Sequence, residues 1–200
     1  MTDVQEIRQP SLGSSARQDD PVAGILTFII ADLIVFSLLF LGFMIDRGAQ
    51  VSLFNESSLE LSLPFGIVNT LFLVTSGLFI VYAVKAARRG DAGAFRRWVL
   101  VSGAVGLGFG VSKMMEWGQK ISQDINMLTN DFYMYYFALT GAHFLHFLAG
   151  MGALVFVWYV SFKKPVNGEF YSKIESTAIY WHMVDLLWML IFPLLYLGAI

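Results

Sequence analysis

The sequence predicts an all-α integral membrane bundle of five transmembrane helices, with the N-terminus in the cytoplasm and the C-terminus outside. Composition, five long apolar runs and the distribution of basic residues predict it. Hydrophobic residues are 56% of the chain and charged residues 14%, against about 25% charged in ordinary soluble domains. Such a chain has too few charges to clothe a water-facing surface. Five runs reach the roughly 20 mostly apolar residues that a helix needs to cross hydrocarbon: about Val22–Ile45, Pro64–Ala87, Phe95–Trp117, Phe132–Val160 and Ile174–Leu197. Lysine and arginine set the orientation. Counted over the tail and the loops, ten lie on one side (Arg8, Arg17, Lys85, Arg88, Arg89, Arg96, Arg97, Lys163, Lys164, Lys173) and two on the other (Arg47, Lys120). The majority side is cytoplasmic.

Residues 1–20 are polar, contain Pro10, Gly13, Ser14 and Ser15, and read as a disordered cytoplasmic tail without a cleavable signal. Residues 21–200 form the membrane domain, with short connections that are read as loops. The fourth run is longer than a bilayer requires, so its helix is tilted or projects. The net charge of −2 suggests no nucleic-acid partner. The absence of cysteine excludes disulfides, thiolate metal sites, iron–sulfur clusters and the thiolate-bridged copper centre of respiratory electron entry.

Ionisable residues inside the spans are functional candidates, because burying charge in hydrocarbon is costly. Asp32 sits about ten residues into the first span, roughly 15 Å at the helical rise and so near the bilayer centre. No basic residue adjoins it in its own span. It therefore requires either a partner on another helix, with His143 and His182 as candidates, or a neutral carboxyl. Thr27 and Ser37 are the polar neighbours in its span. In span three, Lys113 and Glu116 are spaced i,i+3 and pair on one face. Gly103, Gly106 and Gly110 lie along one side of that span and signal close helix approach. In span four, His143 and His146 are again i,i+3, with Thr140 and Gly150 on much the same face. In span five, Glu175, His182 and Asp185 fall within an arc of about 80°, with Trp181 and Trp188 close to this polar stripe.

Each feature has a plain structural reading. Polar groups in a bundle commonly hold helices together by hydrogen bonds, and a lysine near a span end commonly snorkels. Imidazoles also ligate haem and copper, but three histidines are too few for two haems and a copper, and at most one b-type haem is open to them.

Three segments carry a family resemblance. Span four reads Leu139-Thr140-Gly141-Ala142-His143-Phe144-Leu145-His146, similar to a Thr-Gly-x-His-x-x-His motif. Span five reads Tyr180-Trp181-His182-Met183-Val184-Asp185-Leu186-Leu187-Trp188, close to Tyr-Trp-His-x-Val-Asp-x-x-Trp, with Glu175 seven residues before the histidine. Span one ends an apolar run in Ala31-Asp32 where the family has Ser-Glu, and Glu116-Trp117 fits a Glu-Tyr pair. Over residues 22–198 the chain resembles subunit III of haem–copper respiratory oxidases (cytochrome c oxidase subunit III), in a short five-helix form. Asp32 keeps the family's acid but shortens its reach by one methylene. The first two of the family's seven helices are missing here, and with them one wall of its lipid-filled cleft.

The resemblance implies a non-catalytic subunit of a terminal oxidase in the bacterial inner membrane, packed on subunit I and supporting proton uptake and stability in aerobic respiration. It implies no cofactor in this chain, haem and copper in subunit I, subunits I and II as partners, and bound phospholipid. It makes Asp32, Glu116, His143, His146, Glu175, His182 and Asp185 proton-buffering or lipid-contact candidates, with Trp181 and Trp188 as motif aromatics and no catalytic residue. A short branch of the family is associated with nitric oxide reductase, and Asp131-Phe132-Tyr133-Met134-Tyr135-Tyr136-Phe137 resembles that branch, so an accessory role in denitrification stays open. A proton-coupled transporter is a different class, but it would show repeats or broken helices. A haem b cytochrome is distinguished by its absorption spectrum.

Overall fold

The computed structural model describes residues 21–166 and 168–198 and is helical throughout. The tail read as disordered, residues 1–20, lies outside the described residues. Six helices follow in order: α1 (Pro21–Ala49), α2 (Val51–Leu59), α3 (Leu63–Arg88), α4 (Ala92–Ser122), α5 (Asp131–Val160) and α6 (Gly168–Tyr196). All but α2 are long and apolar enough to cross a membrane. Large apolar side chains stay exposed all along them, among them Leu38, Leu71, Leu107 and Leu145, as expected where the solvent is hydrocarbon.

α6 is the centre of the bundle. Half of its most apolar stretch is buried, against 17% for α1. It packs on α3, α5 and α1, while α3 pairs with α4, α4 with α5, and α1 with α5. Among the described residues α1 and α3 do not touch, so one face of α6 stays open between them.

Local sequence sets the turns. α3 ends in a Schellman motif: Gly90 adopts φ +72°, its N–H donates to the Ala87 carbonyl, and the Asp91 N–H donates to that of Ala86. Asp91 then caps α4, accepting from the Ala94 N–H at 2.8 Å. The tight link makes α3 and α4 an antiparallel hairpin. Ser76 and Ser102 clamp it by donating to each other's carbonyls, both at 2.9 Å. Asn130 caps α5 in the same way, accepting from the Tyr133 N–H at 2.9 Å.

Two expectations are corrected here. The connection between the first two spans is not all loop, because α2 occupies it. Its Phe54 sits in a cluster with Phe43, Phe132 and Tyr135, and Ser58 donates to the Leu195 carbonyl at 2.8 Å. The glycines of α4 make room for rings rather than for backbone. A Cβ on Gly106 would stand 3.0 Å from the Trp181 ring, and one on Gly110 would stand 3.1 Å from the Phe147 ring. Gly103 has only Met151 near it, at 3.9 Å.

Candidate functional site

Ionisable side chains of the spans pair in three places. The first is an enclosed ion pair. Lys113 and Glu116 are 0% and 2% exposed, and Lys113 Nζ donates to Glu116 Oε2 at 2.9 Å. It also donates to the Tyr196 hydroxyl at 2.9 Å and the Tyr136 hydroxyl at 3.2 Å. Tyr196 in turn donates to Glu116 Oε1 at 2.5 Å. All three ammonium donors are used, and the Tyr136 ring lies 4.6 Å from Nζ. The lysine does not snorkel. The cluster ties α4 to α5 and α6, and its tyrosines carry no signal in the sequence beyond being aromatic.

The second place joins α1 to α5. Asp32 Oδ1 lies 3.1 Å from His146 Nε2, and both side chains are mostly buried. The expected partners of Asp32, His143 and His182, are corrected to His146. The i,i+3 spacing separates the two histidines of α5 instead of pairing them. His146 turns toward α1, with its ring edge against Phe36. His143 turns into the core, with Nε2 3.0 Å from the Val184 carbonyl and its ring against Phe109 and Trp188. His146 Nδ1 lies 2.7 Å from the Ala142 carbonyl. A carbonyl only accepts, so Nδ1 carries a proton. Asp32 Oδ2 is buried without a hydrogen bond.

The third place lies along α6. His182 Nδ1 is 3.6 Å from Asp185 Oδ2, an ion-pair separation beyond hydrogen-bond reach. The side chain of His182 is 44% exposed. Glu175 belongs elsewhere: it pairs with Arg88 at 3.0 Å and accepts from Tyr171 at 3.1 Å, at the basic end of the bundle. Trp181 and Trp188 do not join the polar stripe. Both lie beside it and are wholly buried, Trp181 against Gly106 and Gly150 and Trp188 donating to Thr70 at 3.0 Å. Among the described residues no group of three or more His, Cys, Asp or Glu converges as a metal site.

Residues 14–199 match the family described as cytochrome c oxidase subunit III. Cytochrome c oxidase subunit 3 of Thermostichus vulcanus is 29% identical over 181 residues, covering 90% of this chain and 88% of that protein. Its counterpart in Corynebacterium diphtheriae is 27% identical over 175 residues, 86% and 85% of the two chains. Cytochrome bo(3) ubiquinol oxidase subunit 3 of Pseudomonas putida is 25% identical over 177 residues, 88% and 84%. Because the match runs through all five long helices and takes in both mid-helix pairs, Asp32–His146 and His182–Asp185, the chain belongs to the cytochrome c oxidase subunit III family.

Proposed function

We propose that this chain is the non-catalytic subunit III of a haem–copper terminal oxidase in a bacterial inner membrane, packed on the subunit that carries haem and copper. The observation that carries the reading is the family match from residue 14 to residue 199. The relatives are subunits of cytochrome c and ubiquinol oxidases alike, so the reading concerns the subunit and not the electron donor. They favour the oxidase over the nitric oxide reductase branch. The excess of lysine and arginine at the end of the bundle holding the Arg88–Glu175 and Arg96–Ser161 contacts supports a cytoplasmic location for that end, with the C-terminus outside.

Within this role Asp32 and His146 hold and exchange a proton beside the catalytic subunit. They face each other at 3.1 Å, and both lie in the middle third of their helices. Phospholipid headgroups bind at the basic end, where a cavity of about 610 Å³ is lined by Arg88, Arg89, Tyr171 and Glu175.

The test compares membranes with and without this chain. Loss of the chain is expected to leave initial oxygen reduction in place and to shorten the oxidase's catalytic lifetime. An unchanged lifetime, together with loss of nitric oxide reduction, would reverse the assignment.

A further inference from the structure

The open face of α6 carries a feature that lipid alone cannot satisfy. His182, Leu186, Met189 and Leu190 are all exposed, and their spacing puts them on one side of the helix. α1 and α3 flank this face without meeting among the described residues. His182 lies fourteen residues from either end of α6 (Gly168–Tyr196), or about 21 Å from each at the helical rise. The hydrocarbon half-thickness is about 15 Å, so His182 stands near the bilayer centre, out of reach of headgroups and of interfacial water.

Its polar groups are incompletely matched. The Asp185 contact is 3.6 Å long, Asp185 Oδ1 is buried without a hydrogen bond, and among the described residues no hydrogen bond reaches His182 Nε2. The neighbouring helix gives way to the pair. A Cβ on Gly77 of α3 would collide with Asp185 Oδ2 and stand 3.3 Å from His182 Nδ1. Other grooves differ in chemistry. The one between α4 and α5, about 240 Å³, is lined by apolar residues such as Val99, Leu107, Leu154 and Trp158, and acyl chains suffice there.

We infer that the α6 face between α1 and α3, centred on His182 and Asp185, docks a transmembrane helix of a partner subunit that presents a hydrogen-bonding side chain at mid-membrane depth. An acyl chain offers no donor or acceptor, and an exposed histidine facing hydrocarbon is costly. A protein helix can cover the apolar stripe and complete the polar pair together. The inference rests on the reading of this chain as one subunit of a membrane complex.

The experiment uses the intact complex in native membranes. A photo-crosslinking amino acid is placed at Leu186 or at Val74, which lies one turn from Gly77 on α3, and at Leu107 or Val155 on the α4–α5 side as contrast. Leu186 and Val74 are expected to crosslink to a larger partner subunit, and Leu107 and Val155 are not. In parallel, His182→Phe is expected to lower the fraction of complexes retaining this chain through detergent washing about fivefold, and His182→Gln to keep it within about twofold, in line with the strength of one interhelical hydrogen bond. Crosslinks confined to the α4–α5 side, crosslinks to a second copy of this chain, or no crosslink at any position would overturn the inference while the complex stands. Retention of His182→Phe at the wild-type level would do the same. A chain that purifies without any partner would sink the subunit reading itself, and the inference with it.

Discussion

At the scale of single residues, the bundle's charges differ in whether the protein itself completes them. Lys113 and Glu116 are complete: three donors and both carboxylate oxygens are matched inside the core. Removing one partner strands the other, so Lys113→Met is expected to destabilise the bundle by about 3–5 kcal/mol. The double change Lys113→Met with Glu116→Leu should recover most of that loss. Unfolding of the purified protein in detergent checks both, and a double variant no better than the single would show that the tyrosine hydroxyls, not the ion pair, set the stability. Asp32 and His146 face each other at 3.1 Å, and the proposed role gives them an exchangeable proton. Asp32→Asn can still hydrogen-bond, so assembly should survive. Turnover should fall about twofold or catalytic lifetime shorten, most visibly at high pH, where the proton supply is lowest. Asp32→Glu keeps the acid and should be tolerated. An assembled Asp32→Asn oxidase with unchanged turnover, pH profile and lifetime would reduce the pair to a helix contact. The Lys113–Glu116 pair was legible in sequence because both partners share one helix, where spacing fixes neighbours. The partner of Asp32 was not, because periodicity says which face a residue occupies and not which helix lies opposite. His146 and His143 differ by three positions, and only the placement of α1 decides between them.

At the scale of elements, aromatic rings seated on glycines hold α6 in the bundle. Trp181 is fully buried between Gly106 of α4 and Gly150 of α5, and a Cβ on Gly150 would stand 2.8 Å from its ring. Gly150→Ala should therefore cost about 1–3 kcal/mol through overpacking, measurable as a lowered unfolding temperature in detergent. Trp181→Leu in the same chain should recover part of it, and additive losses would show that the two do not compete for one space. The sequence marked these glycines but not what they receive, since a glycine is equally suited to a ring or to a neighbouring backbone. The five long helices were legible because each carries a run of apolar residues longer than a soluble helix requires. α2 was not. Its nine residues, VSLFNESSL, are too short and too polar for a span and read as part of a loop until packing of Phe54 on Phe43 and Phe132 supplies the reason for a helix.

At the scale of the whole molecule, exposed apolar side chains, a central α6 and a basic end describe a subunit built to lie in a membrane beside other chains. The proposed orientation rests on the basic residues, and the lack of cysteine makes it simple to measure. A single cysteine at Ser52 or Ser122 should react with a membrane-impermeant thiol reagent in whole cells, and one at Ala92 or Gly168 should not. Reversed labelling would overturn the orientation. The family was readable from the motifs of α5 and α6, but the surface that meets a partner was not, because exposure is a property of the assembled bundle. Membership of an oxidase complex is measured most directly by the composition of what purifies with a tag on this chain from native membranes in mild detergent. A larger, histidine-rich subunit is expected in equal amount, with a haem absorption spectrum that leaves with that subunit when the two are separated. A preparation containing this chain alone, or a haem band that stays with this chain and disappears on His143→Ala or His182→Ala, would contradict it.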